Sequence, residues 1–145
     1  MLKGVHPLLN PDLLHALACM GHGDSIAIVD SNFPAFSTAI ELPVAEPLLL
    51  GVDAIEAVKV ILTALPIDTF NPEQPAVMGM QVVDQPDAIP DVVREASPLF
   101  EEFDAAVTLI ERFAFYKAAK QCFALVKTTE NRPYGNFIIR KGVIF

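Results

Sequence analysis

Residues 10–34 read NPDLLHALACMGHGDSIAIVDSNFP, and this stretch decides the fold. It opens on Asn-Pro-Asp, a composition typical of a helix start, and continues with leucine and alanine at helical spacing as far as Gly21. A continuous apolar run follows at residues 26–29 and ends at Asp30. The stretch therefore predicts a helix followed by a buried strand, which is the repeating unit of a layered α/β protein.

The same alternation continues through the rest of the chain. Apolar residues at helical spacing predict three further helices, and short apolar runs bounded by turn residues predict five more strands. The predicted helices cover residues 54–65, about 87–103 and 112–121, and the predicted strands cover residues 39–42, 76–83, 106–110, 123–127 and 137–139. The last two strands are close enough in sequence to run antiparallel. We therefore expect a single α/β domain, residues 1–145, with a mixed β-sheet.

The composition excludes several classes of partner. The chain has 18 acidic and 10 basic residues, a net charge of −8, and acidic surfaces repel nucleic acid and anionic lipid. No apolar run approaches the roughly 20 residues of a membrane helix, and the first residues lack the apolar run of a signal peptide. Cys19 and Cys122 lack metal-binding spacing and are expected to be buried free thiols. We expect a cytoplasmic protein that binds neither nucleic acid nor membrane.

Two positions that flank the first strand are candidate site residues. His22 lies between Gly21 and Gly23, where a ligand can approach closely, and histidine exchanges protons near neutral pH. The alternative is a loop histidine satisfied by neighbouring backbone. Asp30 ends the strand at the sheet edge where α/β proteins bind ligands, and a carboxylate there accepts hydrogen bonds from sugar hydroxyls. Its alternative is an N-cap or turn residue.

Two later segments hold further candidates. Arg112 and Tyr116 are four residues apart and share one face of a predicted helix, although Arg112 is equally well explained as a surface partner of Glu111. Tyr134, Gly135 and Asn136 form a turn before the last strand. This turn either presents a phenol and an amide to a polyol or simply closes a hairpin.

Other familiar motifs are missing. The chain has no Gly-rich dinucleotide fingerprint, no phosphate-binding lysine loop and no G-x-S-x-G nucleophile elbow. Its three histidines lack metal-ligand spacing, so no metal and no other cofactor is expected. Arg132, Arg140 and Lys141 form a small basic cluster that we interpret as solvated.

These constellations, in this order, resemble the fucose mutarotase / ribose pyranase family over residues 1–143. The segments that carry the resemblance are residues 8–14, 18–24, 30–34, 112–116, 134–136 and 141–143. The RFAFY sequence at residues 112–116 is similar to the fucose-type branch, whereas the ribose-type branch has a histidine near that place. The resemblance implies a three-layer α/β/α domain with a mixed sheet.

The resemblance also implies an activity, which is interconversion of the anomers of a free monosaccharide such as L-fucose by acid/base ring opening. His22 would donate the proton and Tyr134 would share in its transfer. The sugar would be bound by Asp30, Arg112, Tyr116, Tyr134, Gly135 and Asn136. The alternatives are a D-ribose pyranase and a non-catalytic sugar-binding accessory of sugar transport.

Finally, the resemblance implies a homo-oligomer. Family members form rings, often decamers, with the sites between subunits, and none of their chemistry requires a cofactor. Hydrophobic residues make up 52% of the chain, so either its core is unusually full or other subunits cover part of its apolar surface.

Overall fold

A computed structural model describes residues 1–145 of the protein. Helices and strands alternate along the chain until the last two strands, which follow each other directly. The elements are α1 (Pro11–Cys19), β1 (Ser25–Val29), α2 (Ala35–Ala39), β2 (Leu48–Leu49), α3 (Ala54–Leu62), β3 (Val77–Met80), α4 (Asp91–Glu101), β4 (Val107–Ile110), α5 (Arg112–Ala119), β5 (Ala124–Lys127) and β6 (Phe137–Arg140).

The six strands form one mixed sheet in the order β2-β5-β1-β6-β3-β4. Strand β6 pairs antiparallel with β1 and with β3, whereas the other neighbouring strands are parallel. The predicted mixed sheet is confirmed. Strands β5 and β6 run in opposite directions, as expected, but they are not partners because β1 lies between them.

Local capping determines where the helices begin. The Asn10 side chain accepts a hydrogen bond from the Leu13 amide (2.9 Å) and so caps α1. The Asp53 side chain caps α3 in the same way. Both of these predicted starts are confirmed. The helix predicted over about 87–103 begins later than expected, at Asp91.

The strand predicted over residues 39–42 is wrong. Ala35–Ala39 form the short helix α2, and the strand that follows β1 along the chain is Leu48–Leu49, at one edge of the sheet. An apolar run this short has no periodicity that separates a helix from a strand. Leu42 in this segment is buried because it packs with α2 against the sheet.

The sheet is covered on both faces. Within β1, Ile26 and Ile28 belong to a core of 27 buried residues shared with α1, α3 and α4. Ala27 and Val29 point to the other face and belong to a core of 12 buried residues shared with α2 and α5. This arrangement confirms the three-layer α/β/α domain. In none of the helices are length and apolar character sufficient to cross a membrane.

The close approach of Gly142 to residue 67 generates a stability prediction. A Cβ at Gly142 would lie 2.5 Å from the Ile67 carbonyl oxygen, which is backbone and cannot move aside. We expect Gly142→Ala to lower the free energy of unfolding by about 1–3 kcal/mol, as overpacking does. Urea denaturation followed by circular dichroism measures this change.

Gly51→Ala is the matched control, because a Cβ at Gly51 meets no atom within 4 Å. We expect this variant to be as stable as the parent, or more stable by less than about 1 kcal/mol. Equal losses in the two variants would contradict the proposed steric cause.

Candidate active site

Side chains from several elements meet at one edge of the sheet, meaning the side formed by the ends of the strands. There they line a small cleft. Strands β1, β3 and β4 end at this edge, and the antiparallel β6 begins there. The cleft has a volume of about 200 Å³. That is smaller than the roughly 300–1,000 Å³ of sites for drug-sized ligands, so the cleft suits a ligand of monosaccharide size. Its lining residues are Asp30, Asn32, Phe33, Met80, Val83, Arg112, Tyr116, Pro133, Tyr134 and Asn136.

Asp30 and Asn136 form a buried pair that joins the end of β1 to the start of β6. The Asp30 amide donates to Asn136 Oδ1 (2.9 Å), and Asn136 Nδ2 donates to Asp30 Oδ2 (3.0 Å). Asp30 Oδ1 also accepts from the amides of Asn32 and Phe33, at 3.1 Å and 3.0 Å. The sequence offered a turn residue and a ligand-binding residue as alternatives for Asp30. In the structure, Asp30 both caps the turn and lines the cleft.

Burial is the main influence on the protonation of Asp30. It raises the pKa of the Asp30 carboxyl above its ordinary value of 3.8, and hydrogen bonds from Asn32, Asn136 and Phe33 only partly offset this effect. A carboxyl group in this setting is well suited to hydrogen bonding with the hydroxyl groups of a neutral ligand.

Tyr134 occupies the cleft in a strained backbone conformation. Its φ angle is +62°, a left-handed value that bulky residues rarely adopt, and such residues cluster at functional sites. Its phenol oxygen accepts a hydrogen bond from the Val83 amide (3.2 Å). The neighbouring Gly135 is packed so closely that a Cβ there would lie 2.6 Å from Glu130 Cγ. The turn therefore lines the cleft. It does not close a hairpin, because β5 and β6 are not paired.

The buried Glu130 holds this turn in place, and sequence reasoning missed it. Glu130 Oε1 accepts from the amide and the Nε of Arg132, both at 2.9 Å, and Oε2 accepts from the Ala54 amide (3.2 Å). The Arg132 guanidinium lowers the pKa of the Glu130 carboxyl to about 2. Arg132 also pairs with Glu95, so its interpretation as a solvated residue is wrong. The Glu-x-Arg spacing just before Tyr134 was the available signal.

Arg112 lines the cleft and carries one unsatisfied donor. Its Nε is buried and has no hydrogen-bond partner, and its guanidinium carbon lies 4.7 Å from the centre of the Phe113 ring. Glu111 accepts from the amides of Phe113 and Ala114 at the start of α5 and makes no ion pair with Arg112. The Tyr116 ring packs against Phe33, with ring centres 5.4 Å apart.

His22 lies apart from the other predicted site residues. It precedes β1, whereas Asp30 follows β1, so the two are at opposite edges of the sheet. The five residues of β1 alone span about 16 Å at roughly 3.3 Å per residue. The His22 side chain is 50% exposed, and its Nε2 lies 3.4 Å from Asp68 Oδ2. Arg140 also pairs with Asp68, so its interpretation as solvated is wrong.

A larger groove of about 450 Å³ lies between α1 and residues 44–49. Its titratable side chains are Asp12, His15 and Glu46, and it contains none of the predicted site residues. No three His, Cys, Asp or Glu side chains of the protein are grouped so that they could hold a metal ion. The smaller cleft, with its buried pair and its unsatisfied arginine donor, is the better candidate site.

Comparisons with known proteins show which proteins this chain is similar to. The chain is 42% identical to the fucose mutarotase of Danio rerio and 39% identical to that of Homo sapiens, in both cases over 99% of this chain and about 95% of the relative (95% and 94%). The crystal structure of the fucose mutarotase of Streptococcus pneumoniae in complex with L-fucose superposes with a TM-score of 0.84. That protein is 32% identical, and the match covers 99% of this chain and 100% of that one.

The model of the RbsD / FucU transport protein family matches residues 3–144. This match spans nearly the same residues as the resemblance drawn from the sequence motifs. The chain therefore belongs to the RbsD / FucU transport protein family.

Proposed function

We propose that the protein is a sugar mutarotase, an isomerase that interconverts the anomers of a free monosaccharide such as L-fucose. The observation that carries this proposal is the cleft itself, where a buried carboxyl–amide pair and an arginine with an unsatisfied Nε line a volume of about 200 Å³. Such donors and acceptors match the hydroxyl groups of a sugar. Relatives at 39–42% identity named fucose mutarotase support the same activity.

The chemistry requires only proton transfers. One proton is delivered to the ring oxygen and one leaves the anomeric hydroxyl, so that the bond between C1 and the ring oxygen breaks and an aldehyde forms. Rotation about the C1–C2 bond and reclosure give the other anomer. Each positioned acid or base contributes about 10²–10⁴-fold to such a reaction. His22 and Tyr134 are the proposed proton-transfer groups, and Asp30, Arg112 and Asn136 hold the sugar.

The apolar side of the cleft favours L-fucose over D-ribose. Phe33, Met80 and Val83 contribute apolar surface beside the polar groups. L-Fucose carries a methyl group at C6, which this surface can bury, whereas ribose has no sixth carbon. Burial of one methyl group is worth about 0.8 kcal/mol, so we expect a preference of several-fold rather than exclusion.

The proposed activity predicts anomer exchange without any cofactor. Saturation-transfer NMR on L-fucose should show faster exchange when the protein is added, and EDTA should leave the rate unchanged because no step uses a metal. D-Ribose and D-galactose serve as comparison sugars. Binding of L-fucose without faster exchange would contradict the mutarotase proposal and support the non-catalytic sugar-binding alternative.

Arg112→Lys should weaken sugar binding although the charge is kept. A guanidinium grips two oxygen atoms with a planar fork, and an ammonium group has no equivalent of the buried Nε donor. We expect the dissociation constant for L-fucose, measured by NMR titration, to rise by about tenfold, the effect of roughly 1.4 kcal/mol. Arg94→Lys, at an exposed position on α4, is the control. Equal affinity in both variants would remove Arg112 from the site.

We further propose that each site is shared between two subunits. His22 and the cleft lie at opposite edges of the sheet, too far apart to act together within one chain. A neighbouring subunit can bring its His22 to the open cleft. The cleft residues of one chain would then bind the sugar while the neighbour provides the histidine.

An assembly of this kind joins two different surfaces of the same protein, which makes the interface heterologous and leads to a ring when it closes. Exposed aromatic side chains occur in segments next to both surfaces. Phe36 and Phe113 adjoin the cleft segments, while Phe70 and Phe145 lie near Asp68 at the His22 edge. Burial of such side chains would stabilise the contact. The decamer is one closed assembly that fits, and native mass spectrometry would count its subunits.

Mixing two inactive variants tests the shared site. His22→Ala and Tyr134→Phe should each lower exchange by on the order of 10²-fold. When the two proteins are dissociated and reassembled together, roughly a quarter of the shared sites should receive both intact residues at random, and activity should return. If both residues act within one chain, every site stays defective. An inactive mixture with verified subunit exchange would exclude the shared site.

A cytoplasmic location is also part of the proposal. Both cysteines are free. Cys122 is buried as expected, but the Cys19 thiol is exposed, so its predicted burial is wrong. An exposed free thiol is typical of proteins in reducing compartments.

A further inference from the structure

Inside the cleft a main-chain amide faces the phenol oxygen of Tyr134, and the proposed mechanism gives this amide no part. The Val83 amide nitrogen lies 3.2 Å from Tyr134 Oη and donates a hydrogen bond to it. This amide donates to no main-chain carbonyl, so the phenol oxygen is its one partner in the chain. Both residues line the cleft. The contact therefore joins a group proposed to transfer protons to a donor that keeps its own proton.

A tight turn fixes the direction of the Val83 amide. The Gln85 amide donates to the Val82 carbonyl (3.1 Å), which closes a four-residue β-turn over residues 82–85. Asp84, the third residue of this turn, has a φ of +58°, whereas Val83 is not among the residues with positive φ. This combination is that of a type II turn, whose second residue has a φ of about −60°. The amide of that second residue takes no part in closing the turn, so it is free to bind the phenol.

Both sides of the contact are held in place. The Gln81 amide donates to the Ile110 carbonyl at the end of β4 (2.8 Å), which anchors the segment that leads into the 82–85 turn. On the other side, the Glu130–Arg132 ion pair holds the turn that carries Tyr134. Because both turns are fixed, the amide faces the phenol oxygen before any sugar binds.

The hydrogen bond from Val83 leaves the phenol of Tyr134 one role toward a ligand. A phenol has one O–H that donates and an oxygen that accepts. The Val83 amide occupies the oxygen as an acceptor, and the O–H donates to no group of the chain. The phenol therefore meets a sugar in the cleft as a hydrogen-bond donor.

We propose that Val83 is a positioning residue whose main-chain amide makes Tyr134 the acid of ring opening, because it stabilises the negative charge that forms on the phenol oxygen when the proton leaves. The inference rests on the proposed mutarotase function. Hydrogen bonds to an ionised oxygen are roughly twice as strong as those between neutral groups. The amide therefore stabilises the transition state more than the bound sugar, as main-chain donors in an oxyanion hole do.

The proton balance gives each transfer to one group. During ring opening the phenol gives its proton to the ring oxygen, which keeps the electron pair of the broken bond to C1. The anomeric hydroxyl gives its proton to the neutral imidazole of His22, and the electron pair of that O–H bond forms the C=O bond of the aldehyde. Reclosure reverses both transfers, so the phenolate regains its proton and His22 acts as the donor.

Val83→Pro tests the role of the amide. Proline has no N–H, and its φ of about −65° fits the second residue of a type II turn. Val83→Ala is the matched variant, because it also changes the side chain but keeps the amide. By saturation-transfer NMR, we expect the maximal exchange rate on L-fucose to be about tenfold lower in Val83→Pro than in Val83→Ala, with similar dissociation constants for the sugar. Equal maximal rates would overturn the proposal.

The same two variants in a Tyr134→Phe background separate positioning from a general effect on the cleft. Phenylalanine has no oxygen for the amide to bind, so an effect that acts through the phenol should disappear in this background. We expect Val83→Pro and Val83→Ala to have the same residual exchange rate there. A difference that persists without the phenol would show that proline disturbs the shape of the cleft, and it would overturn the positioning role.

Hydrogen exchange of the Val83 amide tests the contact independently of activity. Hydrogen-bonded amides are protected from exchange with solvent. We therefore expect the Val83 amide proton to exchange more slowly in the parent protein than in Tyr134→Phe. Equal exchange would overturn the proposal, even if Val83→Pro fails to fold.

The outcomes separate this inference from the proposed function. A parent protein that accelerates no anomer exchange would overturn the proposed function, and the acid role of Tyr134 would fall with it. An active parent protein in which Val83→Pro and Val83→Ala have the same maximal rate would overturn the role of the amide alone and leave the mutarotase intact.

Discussion

The antiparallel pairing of β6 with β1 is the constraint on which the rest of the structure depends. Because Phe137 pairs with Ile28, the turn before β6 is brought to the end of β1, where Asn136 meets Asp30. Because Arg140 pairs with Ser25 at the other end, it is brought to the edge where His22 precedes β1. One register thus builds both the cleft and the Asp68–Arg140 ion pair beside His22. A shift of one residue would turn the side chains of β6 to the wrong faces and destroy both sites.

The sequence predicted the local features of the fold well. The capping residues Asn10 and Asp53 mark their helices through bonds that span three residues, so their signals are contained in the sequence itself. The order of the strands depends on contacts between distant segments, and no local pattern told us that β1 separates β5 from β6. The error at residues 39–42 has the same origin, because short apolar runs fit a helix or a strand and tertiary packing decides between them.

The sequence identified individual residues that line the candidate cleft, but it did not predict how those residues are arranged in space. A histidine and a tyrosine in suitable loops and an arginine on a helix indicate chemistry, and the family resemblance supplied their roles. The separation of His22 from the cleft follows from the direction of β1 and its length, which become evident only once the strand is placed. Glu130 and Asp68 escaped notice because their partners are set by tertiary contacts, and an acidic residue in a polar segment is ordinarily solvated.

The left-handed backbone of Tyr134 sets a limit on how stable this protein can become. A tyrosine at a φ of +62° carries a strain of about 1–3 kcal/mol, which glycine at the same position would relieve. Selection for stability alone would therefore favour loss of the phenol, whereas selection for the proton transfer proposed for Tyr134 would keep it. In a descendant that no longer acted on sugars, position 134 is where we would expect a glycine or an asparagine to appear early. The identity of this one residue would record whether a lineage still depends on the chemistry.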